Sequence, residues 1–189
     1  LKPDVQVATT YSKEHGHMVG FFFMSMVMAN CIRRSNALLE YSKKLVYYEA
    51  IVYPNVFTAI NTTIGTFMLG AIIAAPPVSW LFLKLGLIPS PGQGPSNSDM
   101  DKGFLKITSY GYGRDKRANS KPIKAVFYFP TDPGYRDTAR MLAESGLLLA
   151  LEQEKTSKTG GIMTPAAGLG APLVDRLCAT GSSMEVIRD

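Results

Sequence analysis

Ala50 to Leu83 (AIVYPNVFTAINTTIGTFMLGAIIAAPPVSWLFL) runs for 34 residues without an Asp, Glu, Lys or Arg. Within it, Val56 to Ala75 predicts an apolar helix of 20 residues. The pair Pro76-Pro77 should end this helix, because proline has no amide hydrogen and clashes with the preceding turn. Val78 to Ile88 is a second, shorter apolar piece that carries one charge, Lys84.

Three interpretations of this apolar segment, residues 56–88, stay open. It is compatible with a single transmembrane helix, with a helical hairpin that dips into one leaflet or lines a lipid pocket, and with a buried core helix. Twenty residues at a rise of about 1.5 Å just cover a bilayer core of about 30 Å. Trp80 and Lys84 suit the boundary between membrane and water. The side chains predicted to contact a membrane or a protein partner are Val56, Phe57, Ile60, Ile64, Phe67, Met68, Leu69, Ile72, Ile73, Trp80, Leu81, Phe82 and Leu83.

Two elements are predicted before the apolar segment. His17 to Ile32 (HMVGFFFMSMVMANCI) predicts a buried helix that continues through Asn36 to Leu39. Its uncharged part is too short for a membrane span, which needs about 20 residues. Lys44 to Val52 (KLVYYEAIV) has the β-branched and aromatic content of a strand, which Pro54 closes.

Beyond the apolar segment, a Pro/Gly/Ser-rich linker leads into a more polar module. Strands are predicted for 104–111 and 123–129, joined by a polar hairpin connection over 111–120. A helix is predicted for 133–152, where apolar residues recur at helical spacing, namely Ala139, Leu142, Ala143, Leu147 and Ala150. A helix from Pro165 to Thr180 and a short strand over 184–187 complete the module.

These elements predict an α+β fold with a mixed or antiparallel sheet packed by helices and an extended hydrophobic, membrane- or lipid-facing helical segment. We divide the chain into four parts: an N-terminal helix and strand (1–55), the hydrophobic helical segment (56–88), the linker (89–98) and the C-terminal α+β module (99–189).

Charge and cysteine usage exclude several classes of protein. The formal net charge of +5 is spread along the chain, with no basic stripe interleaved with aromatic residues, so nucleic-acid binding is not predicted. Cys31 and Cys178 form no CxxC and predict buried free thiols rather than a disulfide or a zinc site. The chain begins at Leu1 without a secretory signal pattern, which is compatible with a processed protein or with a piece of a longer chain.

Motifs that would carry chemistry are absent from the sequence. It contains neither a GxGxxG opening a strand–helix unit nor a GxxxxGK[ST] phosphate loop. His15 and His17 have no third histidine with which to bind a metal ion. We therefore predict no catalytic, cofactor-binding or metal-ligating residue.

Two short motifs predict turns and helix starts. Asp132-Pro-Gly-Tyr135 is typical of a tight turn ahead of a helix. In Gly160-Gly-Ile-Met-Thr-Pro165, Thr164 can cap a helix whose first position Pro165 occupies.

These motifs, in their order and spacing, also resemble a known family. The relevant elements are the run Pro89 to Gly94, Asp132 to Tyr135 followed by Ala139-Arg-Met-Leu-Ala-Glu-Ser145, and Gly160 to Ala166 followed by Leu173-Val-Asp-Arg-Leu177. Together they resemble the C-terminal part of saccharopine dehydrogenase-like oxidoreductases, which include the trans-acting enoyl reductases. The resemblance implies an N-terminal Rossmann domain that holds NAD(P) and a C-terminal α+β domain that shapes the substrate site. This chain matches only the second part.

Two functions follow as hypotheses. The favoured one is a non-catalytic relative that serves as a membrane-associated accessory subunit of a larger assembly, in an organellar membrane of the thylakoid or the mitochondrion. Its partners would be a membrane or lipid and other proteins. The alternative is the C-terminal substrate-binding half of an NAD(P)-dependent oxidoreductase acting on a lipid-like substrate. We predict no cofactor in this chain, and NAD(P) only if a Rossmann domain lies upstream.

Overall fold

Two units make up the structure, Leu1–Gly94 (unit 1) and Pro95–Asp189 (unit 2). The computed structural model describes residues 9–12, 16–90, 92–113 and 122–187. Each unit contains a three-stranded antiparallel sheet together with helices, so the predicted α+β class is confirmed. The division of the chain into four parts at residues 55, 88 and 98 stays a prediction.

Unit 1 combines a small sheet with three helices. Its elements are β1 (Thr10–Ser12), β2 (His17–Gly20), α1 (Ser25–Leu39), β3 (Ile51–Tyr53), α2 (Val56–Ala74) and α3 (Pro76–Lys84). The strand order is β1-β2-β3, and α2 packs on β2 and β3. The predicted apolar helix is therefore confirmed as α2, and the shorter piece that follows is helical from Pro76, since proline is well accepted in a first helical turn.

The prediction of one buried helix from His17 to Ile32 is wrong in its first part. His17–Gly20 forms β2, in which Met18 pairs with Tyr53 of β3, and α1 begins only at Ser25. An apolar run without a clear period suits either a strand or a helix. The pairing with β3, which comes from a distant part of the sequence, favours the strand.

Helix α1 is also not a core helix. Its buried side chains are the small ones of Ser25, Ala29 and Ser35. Cys31 is exposed on this helix, so the prediction of a buried thiol is wrong there, and Cys178 of unit 2 is half-buried.

The strand predicted from Lys44 to Val52 is much shorter than expected. Only Ile51–Tyr53 is a strand, as these residues pair with β2, while residues 45–50 have no regular structure. Strand propensity therefore predicted the approximate position of β3. The length of β3 is determined by the residues of β2 with which it can pair.

Unit 2 contains the second sheet. Its elements are α4 (Asn97–Lys102), β4 (Leu105–Gly111), β5 (Ile123–Phe129), α5 (Arg136–Leu151), α6 (Pro165–Gly168), α7 (Gly170–Ala179) and β6 (Ser183–Ile187). The strand order is β4-β5-β6. The single helix predicted from Pro165 to Thr180 is two helices, α6 and α7, separated by Leu169. Helix α4 begins inside the predicted linker. Most of the predicted hairpin connection, residues 114–120, lies outside the described residues.

The core of unit 2 is formed by four leucines from α5, α7 and the turn between α6 and α7. Leu148 of α5 packs with Leu169, Leu173 and Leu177, and Met141 lies against this cluster. On α5 the other buried positions are Asp137 and Glu144. The five apolar positions that recur at helical spacing are all exposed, namely Ala139, Leu142, Ala143, Leu147 and Ala150. Apolar periodicity thus predicts the helix and misses its buried face, because that face carries two carboxylates paired with arginines.

Candidate functional site

Helix α2 is capped at its start and is exposed along most of its length. The Asn55 side chain accepts a hydrogen bond from the Thr58 amide at 2.8 Å, which satisfies a free donor of the first turn. Of its 19 residues, only Ala59 is buried. Among the described residues, α2 is the one helix long and apolar enough to cross a membrane, judged by length and composition.

The two faces of α2 differ in a way that is unusual for a water-soluble protein. The face toward the sheet carries small and hydroxyl-bearing side chains: Ala59 is fully buried, and Thr63 and Thr66 are half-buried. The opposite, exposed face carries four large apolar side chains at helical spacing, Phe57, Ile60, Ile64 and Met68. A helix that borders water normally has the reverse arrangement.

Two hydroxyl groups of α2, those of Thr63 and Thr66, do not require water. Thr63 Oγ1 donates to the Ala59 carbonyl at 2.8 Å, and Thr66 Oγ1 donates to the Thr62 carbonyl at 2.8 Å. Each hydroxyl proton is thus used within the helix, which lowers the cost of placing the group in an apolar environment.

Helix α3 continues the apolar surface and ends it with a charge. Ala75, between the two helices, has an extended backbone, so the chain changes direction before Pro76. Trp80 is 61% exposed, and the Lys84 ammonium lies 4.9 Å from the centre of its ring. This cation–π contact pairs an indole with an amine, the two groups that settle at a membrane–water boundary.

Unit 1 presents the predicted contact residues on its surface. Ile72, Phe82 and Leu83 are half-buried. The other ten are exposed: Val56, Phe57, Ile60, Ile64, Phe67, Met68, Leu69, Ile73, Trp80 and Leu81. The interpretation of this segment as a buried core helix is therefore wrong. Its contact with a membrane or a partner stays a prediction.

A tyrosine–glutamate pair precedes β3, and sequence reasoning missed it. Burial, the charge of Glu49 and a hydrogen bond to Glu49 together raise the pKa of Tyr47 to about 12. Burial also raises the pKa of Glu49, and the hydrogen bond from Tyr47 opposes that rise. Glu49 Oε2 is buried and has no hydrogen-bond partner among the described residues. The available signal was a single acidic residue within the apolar run KLVYYEAIV.

We expect the Tyr47 phenol to lose its proton at a higher pH than an ordinary tyrosine does, and we expect its pKa to depend on Glu49. In the variant Glu49→Gln the pKa of Tyr47 should fall from about 12 and stay above about 10, because the carboxylate charge is lost while burial remains. The neutral phenol is favoured by folding, so its stabilising contribution is complete below about pH 10 and is lost as the pH rises through about 12. Alkaline titration followed by phenolate absorbance measures this, with Tyr47→Phe as the control that removes the late step. An identical titration curve for Glu49→Gln and the wild type would contradict the pairing.

The two turn motifs have structural roles, as predicted. Asp132 Oδ2 accepts from the Tyr135 amide at 2.7 Å and so closes the turn before α5. Thr164 caps α6 by accepting from the Ala167 amide, with Pro165 at the first helical position. These contacts account for both motifs without a ligand.

An arginine joins distant parts of unit 2. Arg176 of α7 donates to Glu144 of α5, with a distance of 2.9 Å from Nε to Oε2, and it also pairs with Glu152. The hydrogen bond to Glu144, opposed by burial and reinforced by Glu152, raises the pKa of Arg176. This cluster holds α7 on α5. Within the described ranges, no three His, Cys, Asp or Glu side chains come close enough to hold a metal ion.

Comparison with known proteins finds relatives that share one name. The chain is 32% identical over 176 residues to a protein of Mycobacterium tuberculosis (strain H37Rv) that is provisionally named a trans-acting enoyl reductase, covering 88% of this chain and 41% of that protein. It is 30% identical over 182 residues to the trans-acting enoyl reductase of Mycobacterium ulcerans and 28% identical over 191 residues to that of Mycobacterium bovis (strain BCG), covering 92% of this chain and 42% of each. No family model matches the chain, and no solved structure is significantly similar to it.

These findings overturn the favoured functional hypothesis. The proteins similar to this chain are named as reductases of mycobacteria. The prediction of a non-catalytic subunit of a thylakoid or mitochondrial membrane assembly is therefore wrong. The chain spans about two fifths (41–42%) of the length of the curated relatives it matches. The absence of a nucleotide-binding motif from this chain was therefore weak evidence against an enzyme. Homologues named trans-acting enoyl reductase, at 28–32% identity over most of this chain, support its relationship to an enoyl reductase family.

Proposed function

We propose that this chain forms the acyl-binding part of a reductase that saturates a carbon–carbon double bond conjugated to an acyl carbonyl. The observation that carries the proposal is its similarity, over 88% of its length, to a protein named as a trans-acting enoyl reductase. An enoyl reductase adds one hydride equivalent to the β-carbon and one proton to the α-carbon of the acyl group. The structural role of this chain would be to bind and orient the acyl group.

The residues of this chain do not fit a dinucleotide. In the described ranges the strands pair antiparallel throughout, whereas a dinucleotide-binding fold needs parallel strands joined by a helix. Gly168 and Gly170 lie where α6 ends and α7 begins, rather than in a strand-to-helix turn. We assign nicotinamide binding to the part of such a reductase that this chain does not match. The more specific relationship to saccharopine dehydrogenase-like oxidoreductases belongs to the same proposal and is supported by the motifs at residues 132–145 and 160–177.

A lipid-like substrate is the second part of the proposal. It is supported by the exposed apolar side chains of unit 1, which would cost free energy in water at about 25 cal/mol for each Å² left uncovered. A long acyl chain gains free energy by covering surface of this kind. A short, polar substrate would gain nothing from it.

The experiment uses the polypeptide produced from the natural reading frame. It is incubated with NADPH or NADH and with enoyl thioesters of increasing chain length, and the masses of the products are measured by mass spectrometry. We expect the acyl group to gain two hydrogen atoms, with a preference for long chains, and the saturated thioester of equal length to consume no cofactor. Failure to saturate any enoyl thioester with either cofactor would overturn the proposal.

A further inference from the structure

We propose that α2 and α3 form a monotopic membrane-binding surface that lies in one leaflet of an anionic lipid bilayer, with the axis of α2 near the membrane plane. This inference uses the same apolar surface that supports the lipid-like substrate in the proposed function, and it names the bilayer as what covers that surface. It does not depend on the reduction itself. It commits to lipid as the partner of the apolar surface of unit 1.

The exposed side of α2 differs from its protein-facing side, and this difference is the first argument. Its exposed face bears Phe57, which is 74% exposed, and Met68, which is 60% exposed, with Ile60 and Ile64 between them. Its protein-facing side bears Ala59 and two threonines whose hydroxyl protons are used inside the helix. Lipid chains cover the large apolar face and make no demand on polar groups, so this arrangement is favourable at a bilayer and costly in water.

The contacts of α2 within unit 1 explain why it should lie along the membrane and not cross it. Ala59 is buried against the sheet, on which α2 packs through β2 and β3. Further along the helix, the Phe67 ring stacks on Phe21 with 5.2 Å between ring centres. A spanning helix would have lipid on every side, which these contacts do not allow. An interfacial helix places only its apolar face in the bilayer, to a depth of about 5–10 Å.

Charge and aromatic placement identify the kind of membrane. Residues 16–90 hold five basic side chains against two acidic ones, the basic ones being Arg33, Arg34, Lys43, Lys44 and Lys84 and the acidic ones Glu40 and Glu49. A positive balance in the unit that carries the apolar face attracts anionic headgroups, and Lys84 is the basic side chain placed next to that face. Trp80, in contact with Lys84, should mark the level of the headgroups.

Trp80 is the one tryptophan of the chain, so its fluorescence reports on this surface alone. The full chain is mixed with vesicles of phosphatidylcholine, with and without phosphatidylglycerol. We expect the emission to shift to the blue on binding, the bound fraction to increase with phosphatidylglycerol, and added salt to weaken binding. Lipids brominated near the headgroup should quench Trp80 more strongly than lipids brominated near the end of the acyl chain.

A matched pair of variants tests the location. The double variant Ile64→Glu/Met68→Glu places two charges on the outward face of α2, and its partition into vesicles should fall by at least about tenfold. Leu142→Glu changes a leucine that is 74% exposed on α5 in unit 2 and should leave partition unchanged. Far-UV circular dichroism verifies that both variants keep the helix content of the wild type.

Three results would overturn the proposal. The first is the absence of vesicle binding by the wild-type chain. If that chain instead forms a discrete dimer in light scattering, and the Ile64→Glu/Met68→Glu variant abolishes the dimer, the surface binds protein and not lipid. The second is equal loss of binding in the Leu142→Glu control. The third is stronger quenching by bromines at the end of the acyl chain, together with resistance to alkaline carbonate extraction, which would indicate a spanning helix. The enzymatic proposal fails on thioester saturation, so the two failures are distinguishable.

Discussion

Replacing Arg140 by alanine should lower the free energy of unfolding of unit 2 by about 3–5 kcal/mol. The reason is Asp137, whose side chain is fully buried and pairs with Arg140, with a distance of 2.8 Å from Nε to Oδ1. Arg140 also donates to the Leu177 carbonyl at 3.1 Å, to Thr180 at 3.0 Å and to Ser182 at 2.6 Å. Removing the guanidinium would leave a buried carboxylate without its counter-charge and would break the connection from α5 to the end of α7 and the turn before β6.

A nearby arginine supplies the control for this prediction. Arg136 pairs with Asp101 at 3.0 Å on the surface of unit 2, where both side chains are exposed. Exposed pairs contribute about 0–1 kcal/mol because water and salt screen them. Arg136→Ala should therefore change the free energy of unfolding by no more than about 1 kcal/mol. Urea denaturation of both variants measures the difference, and equal effects would show that burial of Asp137 does not govern the cost.

The same pair predicts how stability depends on pH. Burial alone would raise the pKa of Asp137, but hydrogen bonds from Arg140 and Thr131, together with the charge of Arg140, outweigh burial and lower it. A carboxyl group with a lowered pKa stabilises the fold above its ordinary pKa of about 4, and that contribution is lost as the pH falls below this value. Urea midpoints measured from neutral to acid pH should fall in the wild type and fall less in Arg140→Ala.

Gly103→Ala is the second substitution expected to have a large effect. A Cβ atom at Gly103 would lie 2.8 Å from Asp132 Cα and 3.0 Å from its amide nitrogen. The Asp132 backbone cannot easily move, since its amide donates to the Met100 carbonyl at 2.9 Å and its side chain accepts from the Tyr135 amide. The backbone of Gly103 has φ −66°, which any residue can adopt, so the cost is purely steric. We expect a loss of about 1–3 kcal/mol or more.

Gly146→Ala provides the opposite result in the same unit. Gly146 lies inside α5, and a Cβ atom there meets nothing within 4 Å. Alanine should therefore raise the free energy of unfolding by about 0.5–1 kcal/mol, because glycine has a high conformational entropy in the unfolded chain. Thermal and urea unfolding of the two variants are compared with the wild type. A destabilised Gly146→Ala, or an unchanged Gly103→Ala, would contradict these packing arguments.

Local signals in the sequence were sufficient for much of the fold. The charge-free run and the proline pair predicted α2 with an error of one residue at its end. β-branched and aromatic residues predicted β5 over the observed range, Ile123–Phe129. The caps and turns at Asp132 and Thr164 also followed from residue type. These features depend on neighbours within a few positions, which a sequence displays directly.

Features that depend on distant partners were predicted poorly. His17–Gly20 became a strand because Tyr53 and its neighbours pair with it, and the exposure of Cys31 depends on how α1 lies in unit 1. The Tyr47–Glu49 pair carries no recognisable motif, and its unusual pKa values come from burial. The functional error had another cause, because a missing motif says little about a protein when the chain matches only part of its relatives' length.

Helix α2 shows both kinds of knowledge in one element. Its sequence was enough to predict that it is a helix and where it begins and ends. Its composition also indicated that water is an unfavourable environment for it. Each of these properties follows from residues adjacent along the chain. Which side meets the rest of unit 1 became clear from the structure. Ala59, Thr63 and Thr66 lie on the side of the sheet, and the outward side carries Phe57, Ile60, Ile64 and Met68. The physical reason is that nearly every side of α2 is apolar, so its periodicity favours no face, and the choice is made by the small side chains that let the helix approach β2 and β3.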